Sequence, residues 1–206
     1  MSLGASAFAT PPAVVALEHT LGMDFVPFNV QDLGGNVFVT YAPAGHPAQT
    51  SATAGEGAVA WFTEGGVLEN TNVGGPLASP WGLAIAPKGF GKFGGDLLVG
   101  NFSFADGQEI NAFNLKTDSL AGTIDINIGA HSPGGLWDLT FGGGGPMSGN
   151  GNPLALYFTD GINHEGDGLF GVISVPEPST WAMLLAGFVG LGLLAARRLR
   201  PSPAIG

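Results

Sequence analysis

The sequence predicts an all-β body, a partial β-propeller of about three four-stranded blades, followed by one C-terminal transmembrane α-helix. Three observations carry this expectation. One segment grammar recurs about every fifty residues between positions 25 and 174. Short runs within it alternate apolar and polar residues and are rich in β-branched and aromatic side chains, as in Val37, Val39 and Tyr41. The chain then changes character at VPEPSTWAMLLAGFVGLGLLAARRLR, where an apolar run ends in arginines.

Residues 1–24 read as an N-terminal segment. Ala7-Phe8-Ala9 has the pattern of a signal-peptidase site, but no basic region precedes it and no apolar stretch of sufficient length. A chain that begins late, lacking its export signal and part of its fold, is one expectation; a flexible terminus is the other.

Residues 25–174 form the predicted propeller-like repeat domain. The first unit contains PFNV (27–30), GGNVFVTYA (34–42) and AVAWFTEGGVLENTNV (58–73). The second contains PWGLAIA (80–86), GGDLLVGNF (94–102) and EINAFNLKTDSLAGTI (109–124). The third contains GLWDLTF (135–141), NPLALYFTD (152–160) and GLFGVIS (168–174). Each opens on an aromatic anchor, Phe28, Trp81 and Trp137, spaced 53 and 56 residues apart. EGG at 64–66 and KTDS at 116–119 are turn chemistry between paired strands. The period suits NHL/kelch-like blades, yet three blades do not close a ring of the usual four to eight.

Composition limits the functions available. Charged residues are only 11% of the chain and cysteine is absent, which excludes disulfides, thiolate metal sites and cysteine nucleophiles. Three of the six basic residues are Arg197, Arg198 and Arg200; upstream of them, three lysines face sixteen acids, a net charge of −13. Such a body repels phosphate backbones, so no nucleic-acid partner is expected.

The sequence names no reaction. GFGKFG at 89–94 matches a dinucleotide fingerprint, but it leads into a strand where that site needs a helix, and Lys92 lacks the following Ser or Thr of a P-loop. DGINHEGDG at 160–168 is dense enough in oxygen ligands for Ca²⁺ or another divalent metal, without the EF-hand alternation; a solvated turn is the simpler reading. His131, Asp138, Asp160 and His164 are the candidate metal ligands, and Asn29 and Asn101 would join them if the blades stack in register. With blades in register, Asn29, Asn101, His131, Asp138 and Asp160 would support a metal-dependent, lactonase-like hydrolase, while His164 belongs to the 160–168 loop reading. Trp61, Trp81 and Trp137 are candidate saccharide platforms, although the Gly and Leu neighbours of Trp81 and Trp137 favour plugs between blades. The expectation is no catalytic residue and no resident cofactor. A structural or binding role leads, with the hydrolase and a truncated, non-functional product as alternatives.

Residues 175–180 hold the linker. Pro176 and Pro178 keep Glu177 in extended backbone, open to a processing enzyme. Residues 181–200 read as a transmembrane helix with an arginine stop. Its apolar part, Trp181 to Ala196, spans about 24 Å at ~1.5 Å per residue, short against a core of about 30 Å. Trp181 suits one interface and Arg197, Arg198 and Arg200 the other, with the arginines on the cytoplasmic side. Ala182, Ala186 and Gly190 make a small-residue stripe for helix packing. Residues 201–206 read as a disordered tail.

Two resemblances add to this reading. SPWGLAIAPKGFGKFGGDLLVGNF, INAF, GLWDLTFG, LYFTDGI and GLFGVIS, preceded by PFNVQDLGGNVFVTYA, look like the C-terminal half of an uncharacterised exported bacterial β-propeller-like family. That resemblance implies a fold and no mechanism, and it implies that the first half of the propeller is absent. The order Pro-Glu-Pro, apolar helix, arginine cluster resembles the PEP-CTERM sorting signal of Gram-negative bacteria. It implies recognition of Pro176, Glu177 and Pro178 by an exosortase, a transpeptidase-like membrane protease. It also implies export, transient anchoring in the inner membrane with the body in the periplasm, and delivery to the cell surface or biofilm matrix, where exopolysaccharide is a possible partner.

Overall fold

Alternating side chains pay off only when strands find neighbours, and each stretch of this chain pairs with the one that follows it. The computed structural model describes residues 9–105, 109–126, 129–132, 134–143, 151–175 and 188–189. The first sheet is an antiparallel meander of β1 (Phe25–Leu33), β2 (Asn36–Pro43), β3 (Ala58–Thr63) and β4 (Leu68–Val73). Leu33 pairs with Asn36, leaving Gly34 and Gly35 as a two-residue hairpin loop. Their φ angles of 66° and 88° are those such a loop requires, and glycine adopts them without steric cost.

The second sheet repeats the plan with β5 (Pro80–Ile85), β6 (Leu97–Asn101), β7 (Glu109–Asn114) and β8 (Ser119–Asp125). GFGKFG lies in the β5–β6 connection, partly as a 3₁₀ turn over Gly91–Phe93, as its strand context requires. The Asn114 side-chain oxygen accepts from the backbone N–H of Lys116 (3.0 Å) and Thr117 (3.1 Å), which closes the KTDS turn.

The third sheet consists of β9 (Gly135–Phe141), β10 (Ala155–Gly161) and β11 (Leu169–Ser174). It has three strands where four were expected, so the blade count of four holds for two sheets only among the described residues. Strand β9 coincides with the GLWDLTF run. Tyr157 and Phe170 stack on the open face of this sheet, their centroids 6.0 Å apart.

Sheets then bury their apolar faces against one another. Phe38, Val59 and Trp61 of the first sheet pack on Leu83, Leu97, Val99 and Phe113 of the second, with Leu77 between them. The second sheet approaches the third through glycines: a Cβ on Gly100 would stand 3.0 Å from Leu136 Cβ, and one on Gly82 would stand 3.1 Å from Leu139. Strand β5 packs against both β1 and β9, so the opening strands of the three sheets lie in series.

The far face of the first sheet is covered by α1 (Pro12–Leu21), in the segment that sequence reading left without structure. Pro12 starts the helix, and Gly22 ends it at φ 68°, its N–H donating to Glu18 O at 2.8 Å. Val14 is fully buried among Phe25, Tyr41, Ala58, Ala60 and Phe62. A second helix, α2 (His46–Ser51), lies in the β2–β3 connection.

By backbone contacts the chain divides into two units, Met1–Ser174 and Val175–Gly206. Among the described residues, no helix is long and apolar enough to cross a membrane. The expected transmembrane span, 181–200, lies outside the described residues except for Phe188 and Val189, which are helical.

Candidate functional site

Each sheet opens on a strand with an irregular pairing, and each irregularity falls on the aromatic anchor of its repeat. In β1, Pro27 pairs with Tyr41 and Asn29 with Thr40, so Phe28 is an extra residue. In β5, Trp81 and Gly82 oppose the single residue Gly100. In β9, Leu136 pairs with Asp160 and Asp138 with Thr159, which leaves Trp137 extra. A bulge turns a side chain out of the regular alternation. All three anchors are turned into one cleft.

The cleft has a volume of about 510 Å³. Its walls are Phe28, Trp81, Phe102 and Trp137. Phe28 meets Trp81 edge-on at 4.5 Å and Phe102 at 5.6 Å, while Trp81 and Trp137 stand 6.2 and 6.4 Å from Phe102. Phe102 is therefore the buried hub, and Trp137, 50% exposed, is the accessible ring. Phe102 N–H donates to Ser79 O at 2.9 Å, which fixes the hub to the segment entering β5.

The polar rim comes from two connections. His46 and Gln49 project from α2, and Glu165 from the β10–β11 loop. His46 Nε2 lies 3.6 Å from Glu165 Oε2. The loop holds Asn163, His164 and Glu165 in consecutive left-handed conformations, with φ of 54°, 56° and 64°. Such backbone costs energy for residues other than glycine, and it persists where its surroundings fix it. Here Asn163 supplies the fixing. Its N–H donates to Ser132 O (2.9 Å), its Oδ1 accepts from Ser132 N–H (3.1 Å), and its Nδ2 donates to Asp167 Oδ2 (2.7 Å).

Hydrogen bonds tie the opening strands together beside the cleft. Asn29 Nδ2 donates to Trp81 O at 2.8 Å, and Gln31 Nε2 reaches Asp138 Oδ1 at 3.5 Å. The Asn101 side chain accepts from Ala78 N–H (3.0 Å) and donates to Pro76 O (2.9 Å), which clamps the segment entering β5. Asn29 and Asn101 thus organise backbone.

The four expected metal ligands lie on two stretches of chain, 131–138 and 160–164. His131 is exposed ahead of β9, and Asp138 is exposed on β9, bonded to Gln31. His164 meets Phe104 edge-on at 5.4 Å. Asp160 is 3% exposed, with neither carboxylate oxygen hydrogen-bonded among the described residues. Burial without partners pushes its carboxyl up from 3.8 to about 6. Among the described residues, no group of three or more His, Cys, Asp or Glu side chains is placed to hold a metal ion.

Trp81 and Trp137 stand where the sheets meet and wall the cleft there, whereas Trp61 is a core residue, 5% exposed and 5.9 Å from Phe38. Sequence reasoning found the three anchors by their spacing but missed Phe102, His46 and Gln49. The place of Phe102, directly after the β6 strand, was the available signal; the α2 residues offered none. Pro176, Glu177, Pro178, Trp181, Ala182, Ala186, Gly190, Arg197, Arg198 and Arg200 all lie outside the described residues.

Residues 174–200 match the family model of the PEP-CTERM protein-sorting motif. No curated protein matches the chain.

Proposed function

We propose that this is an exported protein, held at the inner membrane by its C-terminal segment and processed by an exosortase at Pro176–Pro178. It is then released to the cell surface or extracellular matrix, where its propeller-like body acts as a non-catalytic binding module. The observation that carries this reading is the PEP-CTERM match over residues 174–200. Signals of this kind are processed by exosortase, a membrane protein, and imply export with a membrane-anchored sorting segment.

Physical features of the segment suit that role. Glu177 between two prolines has little access to helix, so the peptide is presented extended to a protease. Sixteen apolar or glycine residues follow, and the three arginines supply the positive flank that orients a span. The propeller-like reading of the body is supported by the two four-stranded meanders, the related third sheet and the serial packing of β1, β5 and β9.

The test is replacement of Pro176, Glu177 and Pro178 by alanine in a host that carries an exosortase. The expected result is an unprocessed, full-length chain in the inner-membrane fraction. Wild-type processing and release of that variant would overturn the reading.

A further inference from the structure

We propose that the cleft formed by the three bulged anchors binds an organic cation, an alkylammonium or guanidinium group of side-chain size. This deepens the binding role proposed above and rests on it.

The first argument is convergence. Phe28, Trp81 and Trp137 occupy equivalent places in three sheets, and in each case an irregular pairing turns the aromatic out of the alternation. Three repeats share the same departure from regular pairing, and its common product is a hollow of about 510 Å³ with aromatic walls. Packing does not call for it, since Trp137 remains 50% exposed.

The second argument is charge. Ring faces carry negative potential and attract a cation, tryptophan most strongly. Glu165 is a carboxylate on the rim, and among the described residues no lysine or arginine lines the cleft. His46 and Gln49 offer N–H donors on the rim, but the rim carboxylate repels an anion, and a neutral polyol gains nothing from the charge of Glu165. A cation engages rings and carboxylate together. The surrounding chain, −13 upstream of its terminal arginines, draws cations toward the site.

The third argument is the loop. Asn163, His164 and Glu165 are held in left-handed backbone, anchored through Asn163 to Ser132 and Asp167. The arrangement places Glu165 both at the cleft and 3.6 Å from His46 of α2. The carboxylate is thus positioned in advance of any ligand.

The experiment uses the full chain in a polyoxyethylene ether detergent, read by tryptophan fluorescence and calorimetry. Choline is titrated against its neutral isostere 3,3-dimethylbutan-1-ol, with blocked lysine, blocked arginine and cellobiose in parallel. Saturable binding of at least one cation is expected, at least tenfold tighter for choline than for the neutral isostere where choline binds, and weakened by salt. Choline alone assigns the site to a small ligand; blocked lysine or arginine assigns it to a side chain of a protein partner. Trp137→Ala and Glu165→Gln should each lower affinity tenfold or more with little change in thermal unfolding. Equal binding of choline and the neutral isostere, preference for cellobiose, or no saturable signal from any cation overturns the proposal. Glu165→Gln is expected to be processed like wild type. A chain that is sorted but binds no cation therefore defeats this assignment alone, and one that binds but is not processed defeats the sorting reading alone.

Discussion

Replacing Asp160 by asparagine should abolish a specific pH dependence of stability. Asp160 sits on β10 opposite Leu136, is 3% exposed, and has no hydrogen-bond partner for either oxygen among the described residues. Its carboxyl is raised from 3.8 to about 6 because burial penalises the charged form. Between those values the native state holds a proton that the unfolded chain has released. Stability attributable to this group is therefore complete below pH 3.8, falls as pH rises through the window, and is lost above about 6. At 1.36 kcal/mol per pH unit the loss is about 3 kcal/mol, a large share of a typical folding free energy. Urea unfolding followed by tryptophan fluorescence, at half-unit steps from pH 3.5 to 7.5, measures it for both proteins. The difference between wild type and Asp160→Asn isolates the group from the other titrating carboxylates. The variant should gain on wild type steadily across the window and then hold a constant advantage. Parallel curves would refute the reasoning, because they would mean that Asp160 ionises in the native state as readily as in the unfolded chain.

Other expectations follow from packing. Gly100→Ala should destabilise by about 1–3 kcal/mol through overpacking against Leu136, and Leu136→Ala by about 2–5 kcal/mol through its cavity. The double variant should cost less than the two together, since each change accommodates the other, and urea unfolding of the four proteins measures the coupling. Val14→Asp places an unpaired charge in a fully buried site and should detach α1, seen as lost hydrogen-exchange protection across Pro12–Leu21. Strand amides of the second and third sheets should stay protected, because α1 packs on the first.

Strands were legible in the sequence where one face is apolar, and β9 coincides with its run because glycines bound both ends of GLWDLTF. The hairpin at Gly34–Gly35 was readable for the same local reason. The helix at Pro12–Leu21 left a signal that went unused: Val14, Leu17 and Leu21 follow helical spacing, and Gly22 stands where a helix ends. The bulges had no such signal. Whether Trp137 is an extra residue depends on the register of β9 against β10, a relation between segments that neither segment encodes alone. For that reason the three anchors were found by their spacing, while Trp81 and Trp137 were read as plugs between blades. The isolation of Asp160 was hidden similarly: alternation in β10 identifies its face, but only sheet packing decides which atoms meet it. The sorting tail was the opposite case, since its three features follow one another along the chain.

The meander plan also governs how the molecule is assembled. Among the described residues, every strand pairing joins neighbours in sequence, β1 to β4, β5 to β8 and β9 to β11. Loop-closure entropy stays small within each sheet, and no strand waits for a distant segment to be synthesised or translocated. A chain threaded out of the cytoplasm can complete one sheet at a time. The long-range step is docking of β5 against β1 and β9. Since Phe28, Trp81 and Trp137 come from three different sheets, the cleft exists only once the third has docked. Ligand capture would therefore report that folding has finished.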